Sequence, residues 1–344
     1  MKIKELKKIY MINQQIFFYL VLSIISILIS IKTYKKLKIL DYPEKRKIHK
    51  NPVPLSGGLA AYLVITILTI YAFSYLSSFT SVIFLFYLTV SSLYFLGLAD
   101  DLYQINATKR IFIAIIIYLI FLTQNIFEVD DNFFLIDIIR IDILEINIKL
   151  NIFQSIILTI FCILSFQNAM NMIDGLNGLS AMIFIIINFF ILFHSLETDY
   201  LEINKALLIF LSIFFLFNIR SNLFFGESGI YIVTFLTSLL LIFNYKKDFI
   251  SFEQIILLLL IPGLDMIRVS LTRLKNKIKI STPDKNHLHH LIIKKYNSHV
   301  ITLIIILILI LPLNFISYYF PDYSLYLILI SVFTYICTYI ILKN

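Results

Sequence analysis

The sequence predicts an all-α integral membrane protein, a polytopic bundle of about eleven transmembrane helices in a single domain over residues 1–344. Composition is the first observation: the chain is 60% hydrophobic and 15% charged, whereas soluble domains are about 45–50% apolar and about 25% charged. The second is a mean hydropathy of +0.90, carried by apolar runs that recur at the length of a membrane crossing. The third is an uneven distribution of lysine and arginine between alternate loops. With 8 Gly and 7 Pro against 32 Phe and 21 Tyr, a collagen-like or disordered chain is excluded.

A crossing helix needs about 20 mostly apolar residues. Such runs occupy 14–31, 57–76, 80–99, 109–123, 152–167, 178–194, 203–218, 229–244, 252–269, 299–319 and 322–341. Lys2, Lys4, Lys7 and Lys8 give the first run the look of a signal peptide, but no small-residue cleavage pattern follows, so it reads as a retained span. Counting alternate loops, 20 of the 29 Lys and Arg fall on one side, which collects residues 32–56 and 268–298. Positive residues accumulate on the cytoplasmic side, so the C-terminus is placed inside and the N-terminus outside, although the four N-terminal lysines count against this.

The acids give a second pattern: 13 of the 21 fall on the outer side, six of them between Glu128 and Glu145. The other eight, Asp41, Glu44, Asp100, Asp101, Asp174, Glu227, Asp265 and Asp284, lie on the inner side near span ends. Carboxylates near a bilayer are costly and mark function when they face a bundle interior. Five chain segments bring them to one membrane face.

The first segment, Asp41 to Gly58, is basic and punctuated by Pro43, Pro52 and Pro54, which favour extended or turn backbone. Arg46, Lys47 and His49 are its candidate anion-binding residues, and Gly57 and Gly58 would let backbone amides approach a phosphate at a helix N-terminus. In the second, Asp100 and Asp101 close the third span, where the helix dipole already disfavours negative charge. A cation is expected there: magnesium with substrate phosphate, or Lys109 or Arg110. The third places Asn168, Asn171 and Asp174 three residues apart in one polar stripe, followed by Gly175, Asn177 and Gly178. It reads as a ligand site or as asparagines joining helices inside the bundle. In the fourth, Glu227 opens a span between Gly226 and Gly229, after two aromatics, Phe224 and Phe225, that could stack on a base; it could equally cap the helix. The fifth holds His287, His289 and His290, half of the six histidines in the chain. A helix starting at Thr282 and Pro283 would put His287 and His290 on one face and His289 away from them. Neither cysteine nor carboxylate completes a zinc site at familiar spacing, and diphosphate binding or proton transfer fits better.

Taken in order, these segments resemble the polyprenyl-phosphate N-acetylhexosamine-1-phosphate transferases, over roughly residues 40–298. The motifs are D-x-P-x-x-R-K-x-H-x-x-P-x-P-x-x-G-G, the paired Asp, N-x-x-N-x-x-D-G-x-x-G-L, G-E-x-G and P-D-x-x-H-L-H-H. The histidine segment is similar to the WecA-like branch, which starts O-antigen, enterobacterial and teichoic-acid lipid carriers, more than to the peptidoglycan (MraY-like) branch. The resemblance implies a fold of ten or eleven helices in the bacterial cytoplasmic membrane with its site on the cytoplasmic face. It implies transfer of a sugar 1-phosphate from a UDP-linked amino sugar to undecaprenyl phosphate with release of UMP. It also implies a Mg2+ cofactor, for which Mn2+ could substitute.

Carried over residue by residue, Asp100 and Asp101 match the catalytic pair, and Asn171 and Glu227 match positions near the metal, which Asp101 supports. Asn168, Asp174 and Asn177 match the nucleotide-sugar region, and His287, His289 and His290 match the histidine motif. Two departures stand out. Glu227 replaces the usual Asp and is one methylene longer, and Lys277 to Ile280 lacks the Gly and Pro common before Pro283.

Other classes fit less well. An anionic-metabolite transporter would place its site near the midplane of internally repeated halves, and no repeat is seen. A CDP-alcohol phosphatidyltransferase needs D-G-x-x-A-R, whereas Asp174-Gly175 is followed by Leu-Asn-Gly. The net charge of +8 follows from the positive-inside loops and anionic head groups, so no nucleic-acid partner is expected. Cys162 and Cys337, both in apolar runs, read as free structural thiols, 21 Tyr can form the interfacial belts in the absence of Trp, and a homodimer is compatible with the sequence.

Overall fold

A computed structural model describes residues 2–43, 51–75, 80–128, 134–141, 145–194, 201–279, 282 and 284–343. The chain runs α1 (Lys2–Leu37), β1 (Leu40–Asp41), β2 (Val53–Pro54), α2 (Gly57–Tyr75), α3 (Thr80–Tyr103), α4 (Ala107–Glu128), β3 (Ile138–Ile141) and β4 (Ile146–Lys149). It continues as α5 (Ile152–Ile173), α6 (Leu179–His194), α7 (Leu201–Asn218), α8 (Gly226–Lys246), α9 (Phe252–Lys275), α10 (Leu288–Tyr296), α11 (His299–Tyr319) and α12 (Ser324–Lys343). Each of the eleven predicted spans falls on one helix; α10 is the addition. Seven of the described helical stretches are long and apolar enough to cross a membrane, and α2 and α6 carry shorter apolar runs.

Local chemistry explains several boundaries. Asn151 and Gln154 form a capping box at the start of α5, and Ser251 and Gln254 form another at α9. Large apolar side chains such as Phe17, Ile70, Phe112, Phe153, Phe161, Ile308 and Phe333 are more than half exposed, an outward apolar surface suited to lipid. Cys162 is exposed on the same kind of surface, and both cysteines are free. Helix α8 is the exception among the spans: 89% of its apolar window is buried, against 17–44% for the others.

The chain divides into two compact units. Unit 1 comprises Met1–Pro43, His49–Gln104 and Ala181–Val233; unit 2 comprises Glu44–Ile48, Ile105–Ser180 and Thr234–Asn344. In unit 1, α1 packs on α2 and α7, and α2 packs on α3. β1 pairs antiparallel with β2, so the proline-rich segment is extended where it is described, as the prolines require. Pro54 accepts the Phe224 amide hydrogen at 2.9 Å, tying β2 to the turn before α8.

In unit 2, α9 packs against α5, α11 and α12, and α10 lies on α11 and α12. The acidic stretch between Glu128 and Glu145 contains β3, which pairs antiparallel with β4 as a hairpin. Its Ile-rich run was the available signal, since β-branched residues favour strands. Tyr245 anchors it by accepting the Arg140 amide hydrogen at 2.8 Å and donating to the Ile138 carbonyl at 2.9 Å, and Arg140 pairs with Asp248.

Candidate active site

The five segments assemble into two clusters, one in each unit. In unit 1 the C-terminal end of α3 meets the N-terminal end of α8. Asp101 accepts the Glu227 amide hydrogen at 2.8 Å on Oδ1 and the Ser228 hydroxyl at 3.2 Å on Oδ2. A carboxylate misplaced at its own helix C-terminus is thus held by the positive end of another helix. The helix start therefore offsets Asp101. Asp100 is buried beside it, and Glu227 is half-buried in the first turn of α8.

Glycines make this approach. A Cβ on Gly97 would lie 2.2 Å from the Ser228 Cα, and one on Gly58 would lie 2.1 Å from the Ser228 Oγ. Gly226 has φ +67°, and a Cβ there would come within 2.7 Å of the Asp101 Oδ2 and 3.1 Å of the Leu55 carbonyl oxygen, so only glycine fits this turn. The expected phosphate cradle at Gly57 and Gly58 is not formed: their amides donate to the Phe224 and Phe225 carbonyls at 2.8 and 3.0 Å. With donors spent on backbone, these glycines serve packing. Phe225 is also corrected, because it is fully buried and stacks on Phe214 with centroids 3.8 Å apart, leaving no face for a base.

Of the first segment, Arg46, Lys47 and His49 lie outside the described residues. The described part, Asn51 to Pro54, lines a cavity of about 430 Å3 with Lys35, Arg220, Ser221 and Asn222.

In unit 2, Asn168 and Asn171 sit in the last turns of α5, Asp174 is its C-cap, and all three are half-buried, as one stripe requires. Asp174 accepts a hydrogen bond from Ser180, Asn177 is half-buried in the turn, and Gly178 has φ +83°. Gly175 brings this turn to the histidines: a Cβ there would lie 3.0 Å from the His289 Nε2 and 3.6 Å from the His290 Nε2.

Pro283 lies outside the described residues, and α10 starts later than expected, with His287 as its N-cap. Its extended backbone (φ −62°, ψ 150°) changes the expected geometry. All three rings cluster, with centroids 5.7 Å apart for His287 and His289, 4.2 Å for His289 and His290, and 6.4 Å for His287 and His290. Asp284 anchors the segment, accepting from the Arg273 Nε and the Asn286 amide at 2.8 Å each. Burial pushes its carboxyl up, but Arg273 and that amide outweigh it and hold it below the usual carboxylate range.

Burial lowers the basicity of His289, and burial with His287 and Lys285 nearby lowers that of His290 to about 4. Both rings are therefore neutral at pH 7. They offer hydrogen bonds or a proton-accepting nitrogen. The His289 Nε2 is buried with no hydrogen-bond partner among the described residues, an uncommon state for a buried polar atom outside a ligand site. Among the described residues, no group of three or more His, Cys, Asp or Glu is arranged to hold a metal ion.

A stability prediction follows from His290. Between its ordinary value of 6.5 and about 4, the unfolded chain binds a proton that the folded chain excludes, so stability falls as pH falls through that window. The thermal midpoint in detergent should drop between pH 6.5 and 4.5, with a shallower slope in His290→Asn. An unchanged slope would contradict the assignment.

Sequence reasoning missed Asp265. It was counted among the inner acids but given no role; in the structure it is 2% exposed and bonded to His287 at 2.8 Å. The signal was available, since an acid inside an apolar span is costly and needs partners.

Residues 83–244 match the glycosyl transferase family 4 profile, a stretch that holds Asp100, Asp101, the asparagine stripe and Glu227. The chain is 26% identical over 305 residues to a probable undecaprenyl-phosphate N-acetylglucosaminyl 1-phosphate transferase of Bacillus subtilis, covering 83% of this chain and 79% of that protein. It is 23% identical over 280 residues to the undecaprenyl-phosphate alpha-N-acetylglucosaminyl 1-phosphate transferase of Escherichia coli K12, covering 76% and 71%. The Thermotoga maritima protein of that name is 25% identical over 320 residues, covering 90% of this chain and 91% of its own. The order of the motifs and these matches together support the polyprenyl-phosphate N-acetylhexosamine-1-phosphate transferase family, within the glycosyl transferase family 4 likeness of residues 83–244.

Proposed function

We propose that the protein transfers an N-acetylhexosamine 1-phosphate, with N-acetylglucosamine as the favoured sugar, from its UDP derivative to undecaprenyl phosphate and releases UMP. The observation that carries this reading is the Asp101 carboxylate fixed against the start of α8 with Glu227 one amide away. The names of the relatives support the donor and the acceptor. Lysine and arginine distribution supports a bacterial cytoplasmic membrane setting with the chemistry on the cytoplasmic face and the N-terminus outside. The histidine segment supports the WecA-like branch over the peptidoglycan one.

In the proposed step an oxygen of the lipid phosphate attacks the β-phosphorus of the UDP-sugar in line. The bond between the α- and β-phosphates breaks and UMP leaves, so one phosphoanhydride replaces another. The equilibrium lies near unity and the reaction is reversible. Phosphoryl transfer depends chiefly on positioning and electrostatics. Asp100 orients the lipid phosphate or accepts its proton, while Asp101 is held still by Glu227 N–H and Ser228 OH. Asn168, Asp174 and Asn177 offer polar contacts suited to the nucleotide sugar, and neutral His289 and His290 offer hydrogen bonds suited to its diphosphate.

The donors in unit 1 fit a magnesium ion. Mg2+ takes one or two carboxylates and fills its other positions with water and substrate phosphate; Asp101 and Glu227 would supply hard carboxylate oxygens at the start of α8. When bound, the ion would neutralise phosphate charge.

The test is UMP release by the purified protein from a panel of UDP-amino sugars, with undecaprenyl phosphate and magnesium, and with magnesium removed by chelation. Release that needs lipid and metal and favours one sugar is expected. No release from folded, lipid-supplied protein would overturn the reading. Omitting lipid distinguishes direct attack from a covalent aspartyl intermediate, because only the latter lets labelled UMP exchange into the UDP-sugar.

A further inference from the structure

Asp265 lies within α9, and its two oxygens have separate tasks. Oδ1 accepts from the Arg268 guanidinium at 2.7 Å, the Tyr335 hydroxyl at 3.0 Å and the Leu288 amide at 3.0 Å. Oδ2 accepts from the His287 Nδ1 at 2.8 Å. Three donors on one oxygen stop the carboxylate from rotating, so the other oxygen is fixed. Arg268 is itself held by the Tyr335 hydroxyl at 2.8 Å, the Asn286 carbonyl at 2.6 Å and the Tyr339 ring at 4.4 Å. The backbone on both sides of His287 is therefore pinned to the same acid–base pair, through the Asn286 carbonyl and the Leu288 amide. His287 is 5% exposed, and its ring lies within 13° of parallel to that of His289.

From this geometry we infer that Asp265 is the positioning residue of the histidine segment, fixing His287 as the Nδ1–H tautomer so that Nε2 keeps its lone pair for the phosphoryl transfer. Paired with Arg268, the carboxylate only accepts hydrogen bonds, so Nδ1 must carry a proton. A carboxylate that fixes the tautomer and orientation of an imidazole in this way is a recurrent device where the other ring nitrogen does chemistry. Neutralising Arg268 alone would need no bond to His287. The inference rests on the proposed transferase reading for its chemistry, though not for its geometry.

Asp265→Asn in the full-length protein tests it. Three donors converge on Oδ1, so the asparagine carbonyl turns to that side and its NH2 faces His287 Nδ1. Nδ1 then becomes an acceptor and the ring becomes the Nε2–H tautomer. Nitrogen NMR of 15N-histidine-labelled protein in detergent, with His287 assigned by His287→Asn, should show Nδ1–H in the wild type and in Tyr335→Phe, and Nε2–H in Asp265→Asn. Turnover in Asp265→Asn should fall at least about 100-fold with KM for the UDP-sugar within about threefold. An unchanged tautomer overturns the proposal, as does a changed tautomer with wild-type turnover. If Asp265→Asn does not fold, an Nε2–H signal for His287 in the wild type overturns it, and Nδ1–H together with an inactive, folded His287→Asn supports it. The spectra need no substrate, so a wild type without UMP release would reject the transferase reading while the tautomer still decides the role of Asp265.

Discussion

Asp101→Asn should lower kcat for UMP release by about 100- to 1,000-fold while the protein stays folded, the size of loss expected when a preorganised charged group leaves a phosphoryl-transfer site. The substitution is nearly isosteric. Its carbonyl still accepts the Glu227 amide hydrogen, and its NH2 faces the Ser228 hydroxyl, which can accept. Both side chains have one size and keep these contacts, so the thermal midpoint should move by only a few degrees. Steady-state assays beside thermal unfolding in detergent separate the two effects. Turnover within threefold of wild type would show that Asp101 serves helix docking alone.

Gly97→Ala should do the opposite, acting on the fold first. Its Cβ would lie 2.2 Å from the Ser228 Cα, 2.3 Å from the Ser228 N and 2.8 Å from the Glu227 carbonyl carbon. All three are backbone atoms, so no side chain can swing aside and α3 must back away from α8. Overpacking of this kind costs about 1–3 kcal/mol or more. Gly97 is four residues before Asp101 on α3, hence on the same helix face, so separation also pulls Asp101 from its two donors. The folded fraction by size exclusion and the thermal midpoint should both fall, and residual protein should have little activity. Gly263→Ala in α9 is the control: its Cβ meets nothing within 4 Å, so the midpoint should hold or rise slightly, as alanine favours helix by about 0.8–1 kcal/mol.

Span positions were legible because a crossing needs a continuous apolar run, a local property of sequence. Asp100, Asp101, Asn168, Asn171, Asp174, Glu227 and the histidines stood out as candidates because polar residues at span ends are few and each has a cost. What sequence could not supply was the identity of partners far along the chain. Asp265 finds His287 and Tyr335, 22 and 70 residues away. Gly57 and Gly58 looked like a phosphate cradle because glycine leaves amides accessible, but the Phe224 and Phe225 carbonyls take those amides first. The helix expected at Pro283 begins at Leu288 because the Leu288 amide bonds to Asp265 and His287 takes an extended N-cap conformation. That shift of a few residues turned two histidines on a face and one away into three clustered rings.

The central claim is that phosphate travels with the sugar. UDP-N-acetylglucosamine carrying radioactive phosphorus in its β-phosphate tests it directly, with purified protein, magnesium and undecaprenyl phosphate. The account predicts that the label enters the organic phase as a lipid diphosphate sugar while unlabelled UMP appears in equal amount. Label recovered as UDP, or left entirely in the donor, would contradict it.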